Sequence, residues 1–443
     1  MPVQQKKYRR IRVFPQFGRH HGLFTFLGLA AFFLVLCSRA EAAGHGAFAT
    51  GDYRNLFAES GRSQSECRLK IDAAFEQLFH GNATNQSVYF PAGTNSNGSL
   101  AYVMDVAHQD VRSEGMSYGM MIAVELNKKA EFDALWNWAR TFMYHDATNH
   151  PAEGYFSWSM RTNGQPNDEM PAPDGEEYFV TALYFASGRW GDGHGLYNYK
   201  AQADHLLSNL KNRQPIAGKT IHGDQTGRAL FDPVQKMVRF SADLNSDCPT
   251  DPSYQLPAFY ELWSRWGPPE ELEFWHAAAV TSRKLFEETV NPVTGLSPDY
   301  ANFDGRPWGH SGSQNFRFDA WRVAMNWSVD WSWWAADPRE QKLSDRLLSF
   351  FNSHDFAGYG NQFTLDGRQL SKDHSTGLVA MNAVAALAAT KPFAKKYAAA
   401  LWNAPVPDGT YRYYDGLLYM LGMLHCSGEF RIWAPGQQWA HSH

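Results

Sequence analysis

Twelve segments between residues 63 and 426 place apolar side chains at helical spacing, and few stretches alternate with the two-residue period of a half-buried strand. The first, SQSECRLKIDAAFEQLFHG at 63–81, opens with Ser63 and Glu66 in capping-box register, carries Ile71, Phe75, Leu78 and Phe79 at helical intervals, and stops at Gly81. The others lie at 117–128, 130–145, 176–187, 197–211, 254–265, 269–290, 319–334, 338–353, 376–390, 393–403 and 413–426. Two kinds of helix are mixed among them. GLVAMNAVAALAA (377–389) is apolar nearly all round, whereas PREQKLSDRLLSFF (338–351) has a charged face, as inner and outer helices of one body would. The pattern predicts an all-α fold in two concentric layers of paired helices and disfavours a sandwich or an α/β sheet. No linker or shift in composition interrupts the chain after residue 50, so residues 43–443 read as a single domain.

Ahead of that domain, Lys6, Lys7, Arg9, Arg10 and Arg12 precede the apolar run GLFTFLGLAAFFLVLC (22–37), and AEA (40–42) has the small-x-small form of a cleavage site. Residues 1–42 are expected to be a signal peptide, which would make the mature protein secreted or periplasmic and free of the membrane. An uncleaved anchor is the alternative, because the run of 16 residues falls just short of a spanning helix. Cys37 lies within this segment, leaving Cys67, Cys248 and Cys426, which allow one disulfide at most and show no zinc-ligand spacing with histidine.

A net charge of −5, with no long basic run beyond the N-terminus, argues against a nucleic-acid partner. Aromatic residues make up 15% of the chain, with 16 Trp and 20 Tyr, which suits a groove that stacks the apolar faces of sugar rings. Three acidic residues stand apart from the charged helix faces, each at or near the start of an apolar helix: Glu114 in DVRSEGMSYG, Asp174 in PAPDGEEYF and Asp319 in FRFDAWR. If the inner helices start on one side, these carboxylates share a rim. Each also has a structural reading: Asp174 with Glu177 fits a D-x-x-E cap, Glu114 could pair with Arg112 at the surface, and Asp319 could pair with Arg317 or Arg322. The sequence contains no GxSxG elbow, P-loop, strand-linked GxGxxG or HExxH, and the histidines of IHGDQTG, GHSGS and DHSTG are scattered. Paired carboxylates remain as the chemical engine, and the reaction they serve best is glycosidic bond hydrolysis.

Ordered blocks of sequence carry a resemblance. DVRSEGMSYGMMIAVELNKKAEFDALWNWARTFM (110–143), PAPDGEEYFVTALYFASGRWGDG (171–193), DPSYQLPAFYELW (251–263), VTGLSPDYANFDG (293–305), FDAWRVAMNWSVDW (318–331) and YRYYDGLLYML (411–421) resemble glycoside hydrolase family 8. The branch most similar is that of the reducing-end xylose-releasing exo-oligoxylanases. The resemblance implies an (α/α)6 barrel and an inverting mechanism without metal or cofactor, acting on xylo-oligosaccharide or xylan as a monomer. By motif, Glu114 would be the general acid, Asp319 the base that activates water, Asp174 the carboxylate that binds and distorts the sugar, and Tyr254 of DPSYQLP the tyrosine that helps hold the nucleophilic water. Arg112 and His374 complete the expected substrate-binding set. The chain departs from the exo-acting pattern at one loop: where those members carry Leu-His-Pro, KDHSTGL (372–378) retains His374 between Asp373 and Ser375. Endo-β-1,4-xylanase activity therefore stays open, and a β-1,4-glucanase or chitosanase of the same fold and a non-catalytic polysaccharide-binding barrel are separate alternatives.

Overall fold

A computed structural model describes residues 45–309 and 312–436. The expected signal peptide at 1–42 lies outside the described residues. Among the described residues, twelve α-helices of nine residues or more follow in order. They are α1 (Gln64–His80), α2 (Ser113–Glu125), α3 (Lys129–Trp138), α4 (Pro173–Trp190), α5 (Tyr199–Asn212), α6 (Pro257–Trp266), α7 (Leu272–Thr289), α8 (Ala320–Trp334), α9 (Arg339–Asn352), α10 (Thr376–Ala385), α11 (Lys395–Asn403) and α12 (Arg412–Cys426). No helix among the described residues is long and apolar enough to cross a membrane.

Burial sorts the helices into the two layers that the sequence pattern predicts. Every residue of α2 except Glu114 is buried, and α10 is buried along nearly its whole length, whereas α1 buries only one stripe: Cys67, Ile71, Ala74, Phe75, Leu78 and Phe79. Even-numbered helices form the inner ring: α2 packs on α4, α6 on α8, α8 on α10, α10 on α12, and α12 on α2. Side-chain hydrogen bonds close the remaining gap, from Tyr260 to Glu177 (2.5 Å) and from the Trp263 indole to Thr181 (3.0 Å), both joining α6 to α4. Odd-numbered helices cover this ring, giving the (α/α)6 barrel. Trp136, Trp138, Trp263, Trp275, Trp327 and Trp333 are all fully buried, so much of the aromatic excess is core rather than groove.

Local chemistry sets the helix ends. The capping box of α1 forms as predicted: the Ser63 hydroxyl accepts from the Glu66 amide, and Glu66 accepts from the Ser63 amide. The helix predicted at 254–265 begins later, at Pro257, because a 3-10 turn at Pro252–Tyr254 precedes it and proline fits the first helical position. The helices predicted at 117–128 and 176–187 begin earlier, at Ser113 and Pro173, which brings Glu114 and Asp174 inside the first turns.

Short strands accompany the helices. A five-stranded antiparallel meander, β1 (Tyr89–Asn95), β2 (Gly98–Asp105), β3 (Asp110–Arg112), β4 (Ser159–Arg161) and β5 (Pro166–Asp168), lies at one end of the barrel, and two further hairpins follow. β3, β4 and β5 have only three residues each, and a register shift between Pro91 and Thr94 interrupts the pairing of β1 with β2, so alternation is faint; the turn Ser96-Asn97 joins β1 to β2. The sheet matters for function because β3 runs directly into α2, with Arg112 paired to Ser159 and the Ser113 amide donating to the Trp158 carbonyl (3.0 Å).

Candidate active site

Three inner helices begin on one rim, and each presents a carboxylate there. Glu114 and Asp174 sit in the first turns of α2 and α4, and Asp319 flanks the start of α8. Helix N-termini carry partial positive charge, which favours anionic side chains at these positions. The residue after each of these two carboxylates is glycine, which lets the start of α4 approach α2 and lets Tyr413 of α12 approach Glu114. A Cβ on Gly175 would lie 2.5 Å from the Ser113 hydroxyl oxygen, and one on Gly115 would lie 2.5 Å from the Tyr413 ring. The cap reading of Asp174 does not hold: the residue flanking the helix is Ala172, Pro173 takes the first position, and Glu177 bonds to Tyr260 instead.

One guanidinium ties the three acids together. Arg322, one turn into α8 and 1% exposed, donates from Nη1 to Glu114 Oε2 (3.0 Å) and Asp174 Oδ2 (2.8 Å), and from Nη2 to Asp319 Oδ1 (2.8 Å). The same group reaches the Tyr118 hydroxyl (2.6 Å) and the Ser253 hydroxyl (3.1 Å). Glu114 and Asp319 therefore face each other across the width of one guanidinium and two hydrogen bonds, which bounds their oxygens to roughly 8 Å apart. Exposure differs among the three: the side chain of Asp174 is 5% exposed, that of Glu114 15% and that of Asp319 27%. Asp319 is thus the carboxylate most open to water.

Environment separates their acidities. Burial pushes Glu114 up to about 7; the neighbouring charges of Asp174 and Asp319 add to this, while Arg322 and a hydrogen bond from Tyr413 (2.9 Å to Oε1) oppose it. Glu114 therefore holds its proton in weakly acidic solution, as a general acid must. Asp319 is also raised, chiefly by burial and by Asp174, against the pull of Arg322 and Arg317.

Tyr254 joins the cluster, its ring 5.9 Å from the Arg322 guanidinium carbon. Arg112 does not pair with Glu114. It bonds Asp105 (3.0 Å) and Asp110 (3.2 Å) and lies over the Trp158 and Tyr413 rings, so it borders the site through Tyr413. His374 is exposed at the approach to α10, where its Nδ1 pairs with the Tyr359 carbonyl (2.8 Å); among the described residues no hydrogen bond joins it to the three acids. Sequence reasoning passed over Tyr118, Ser253, Tyr413 and Tyr414, which come from three segments and converge only in the fold. The adjacent tyrosines divide the work: Tyr413 donates to Glu114, and Tyr414 donates to the Phe318 carbonyl beside Asp319 (3.0 Å).

A metal is not needed to explain any of these contacts. Among the described residues, His145, His150 and Glu169 bring donor atoms within 4.8 Å of one another. However, His150 Nδ1 accepts the Ala152 amide (3.1 Å), which leaves the ring proton on Nε2, facing Glu169 at 3.6 Å. That is the geometry of a polar contact between side chains rather than of a ligand set.

Residues 94–428 match the family model for glycosyl hydrolases family 8. The chain belongs to glycosyl hydrolase family 8. Within the family, it is 40% identical over 395 residues to the reducing-end xylose-releasing exo-oligoxylanase Rex8A of Paenibacillus barcinonensis, covering 88% of this chain and 99% of that one. It is 39% identical to the reducing-end xylose-releasing exo-oligoxylanase of Halalkalibacterium halodurans, covering 89% and 98%. Among solved structures, a family 8 xylanase from Teredinibacter turnerae, determined with xylobiose and as a catalytic mutant with xylohexaose, superposes with a TM-score of 0.87 at 53% identity, covering 88% of this chain and 100% of that one. The family 8 barrel therefore accounts for the paired layers and for the rim on which the acids meet.

Proposed function

We propose that this family 8 enzyme hydrolyses β-1,4-xylosidic bonds with inversion, releasing xylose from the reducing end of xylo-oligosaccharides. The observation that carries the reading is the single guanidinium that holds a raised-pKa Glu114 opposite a more open Asp319. Glu114 donates its proton to the glycosidic oxygen as the bond from that oxygen to the anomeric carbon breaks. On the other face of the sugar, Asp319 takes a proton from water while the water oxygen bonds to the same carbon. Inverting pairs stand about 6.5–9.5 Å apart to leave room for that water, a span compatible with the bound set by Arg322. Asp174, held on the same guanidinium as Glu114, binds and distorts the sugar at the cleavage point, and Tyr254 borders the path of the water. Likeness to enzymes named for reducing-end xylose release supports the substrate and the polarity of attack.

Internal cleavage is the second reading, favoured by two observations: His374 is flanked by Asp373 and Ser375 rather than by Leu and Pro, and the Teredinibacter relative is described as a xylanase. Xylohexaose labelled at its reducing end separates the two. Labelled xylose as the sole early product supports exo action; labelled di- and trisaccharides at early times support endo action. Intact xylohexaose after prolonged incubation, alongside cleaved cello- or chito-oligosaccharides, would overturn the choice of sugar. The basic and apolar N-terminus supports export, which N-terminal sequencing of protein recovered outside the cytoplasm tests.

A further inference from the structure

The segment that carries the base is strained. Phe318, immediately before Asp319, has φ +32°, a region that bulky residues rarely occupy. Such a conformation persists only where neighbours over-determine it. The neighbour that grips both flanks is Asp299, 2% exposed in the loop that follows α7. Its Oδ2 accepts from Arg317 Nε (2.6 Å), one residue before Phe318, and its Oδ1 accepts from the Ala320 amide (3.2 Å), the first residue of α8. One carboxylate thus spans the strained residue; it shares the Ala320 amide with the Arg317 carbonyl (2.8 Å) at the N-terminus of α8, where the Asp319 side chain makes no cap because it turns to Arg322. The Asp299 loop is itself held, since the Asp299 amide donates to the Asn315 carbonyl (2.9 Å) and the Tyr300 amide to the Ser313 carbonyl (3.0 Å).

We propose that Asp299 is a positioning residue for the general base: by clamping the backbone on both sides of Phe318, it holds the Asp319 carboxylate in register with Arg322 and with the water that attacks the sugar. This rests on the proposed inverting hydrolysis. Burial and the Asp319 charge push Asp299 up to about 8, with Arg317 opposing; Asp251 and Tyr300 are the other titratable groups close to it. The hydrogen bonds that both Asp299 oxygens accept oppose that rise, since they favour the charged form.

The test uses two substrates. Cleavage of xylohexaose needs both the acid and the base, whereas β-xylobiosyl fluoride carries a leaving group that departs with little protonation and still needs water activated by the base. In Asp299→Asn, the amide oxygen can still accept from Ala320, but its NH2 then faces the Arg317 donor, so one arm of the clamp opens. The expected result is a fall in kcat of about tenfold to a hundredfold on both substrates, with KM for xylohexaose within about threefold of the parent. Glu114→Gln provides the contrast, losing xylohexaose turnover while retaining most of its activity on the fluoride. Arg317→Lys, at a side chain partly open to solvent, opens the same arm with less risk to folding and is expected to lower kcat on both substrates by about threefold or more. The proposal is overturned if Asp299→Asn, or Arg317→Lys should the first variant not fold, keeps parental kcat on both substrates, loses xylohexaose activity alone, or raises KM without lowering kcat. Failure of the parent protein to cleave either xylosyl substrate would instead refute the proposed function, so the two failures are distinguishable.

Discussion

Tyr413→Phe isolates the contact that sets the acidity of the proton donor. The phenol donates to Glu114 Oε1 at 2.9 Å, and Glu114 stands at about 7 with that bond in place. A hydrogen bond to a charged acceptor is worth about 1.5–3 kcal/mol, and one to a neutral acceptor about 0.5–1.5, so the phenol favours ionised over protonated Glu114 by on the order of 1 kcal/mol. One pKa unit corresponds to about 1.4 kcal/mol, so removing the hydroxyl raises Glu114 by about 0.7–1 unit. The sign follows from the protonation state that works. Because the acid must be protonated, activity falls as pH rises through its pKa, and raising that pKa moves the alkaline limb upward, towards about 8. The assay is kcat/KM on xylohexaose from about pH 4.5 to 9.5, where the limb reports the free enzyme. A limb that stays in place, or that moves to lower pH, would refute the assignment of Tyr413 as the partner that holds Glu114 down.

Two further substitutions probe the architecture around this pair. Gly115→Ala places a methyl group 2.5 Å from the Tyr413 ring, so it is expected to cost about 1–3 kcal/mol of stability and to shift the alkaline limb in the same direction as Tyr413→Phe, read by thermal melting and a pH profile. Arg322→Lys leaves a single ammonium to serve the five side-chain oxygens now reached by the guanidinium, stranding buried carboxylates; a loss of about 3–5 kcal/mol and a kcat lower by more than about a hundredfold are expected, read by denaturant unfolding and turnover.

Helices and acids were legible in the sequence to different depths. The 3.6-residue period located the barrel, because inner helices such as α10 cannot hide their apolar surface, and the Ser63–Glu66 box marked the start of α1. Glu114, Asp174 and Asp319 stood out because charged residues at the starts of apolar helices need a partner or a task. Their partner was only half visible: local spacing offers Arg322 to Asp319 three residues away, while its bonds to Glu114 and Asp174 span 208 and 148 residues and depend on barrel closure. The same limit hid Tyr413, whose ring packs against Gly115 from the neighbouring helix α12, some 300 residues away in sequence, and Asp299, whose role is defined by backbone strain at Phe318. Arg112 shows the converse: proximity in sequence offered a surface pair with Glu114, and the fold pairs it with Asp105 and Asp110 instead. The meander of β1–β5 escaped because β3, β4 and β5 have three residues each and a register shift breaks the alternation of β1 against β2, even though β3 delivers the chain to Glu114.

The central claim is that Glu114 and Asp319 act from opposite faces of the sugar, with a water between Asp319 and the anomeric carbon. Proton NMR of the first turnovers on xylohexaose reads the configuration of the newly formed reducing end before mutarotation erases it. The account predicts the α-anomer, inverted from the β-linked substrate, whereas the β-anomer as first product would mean that one of these acids attacks the sugar directly and would contradict it.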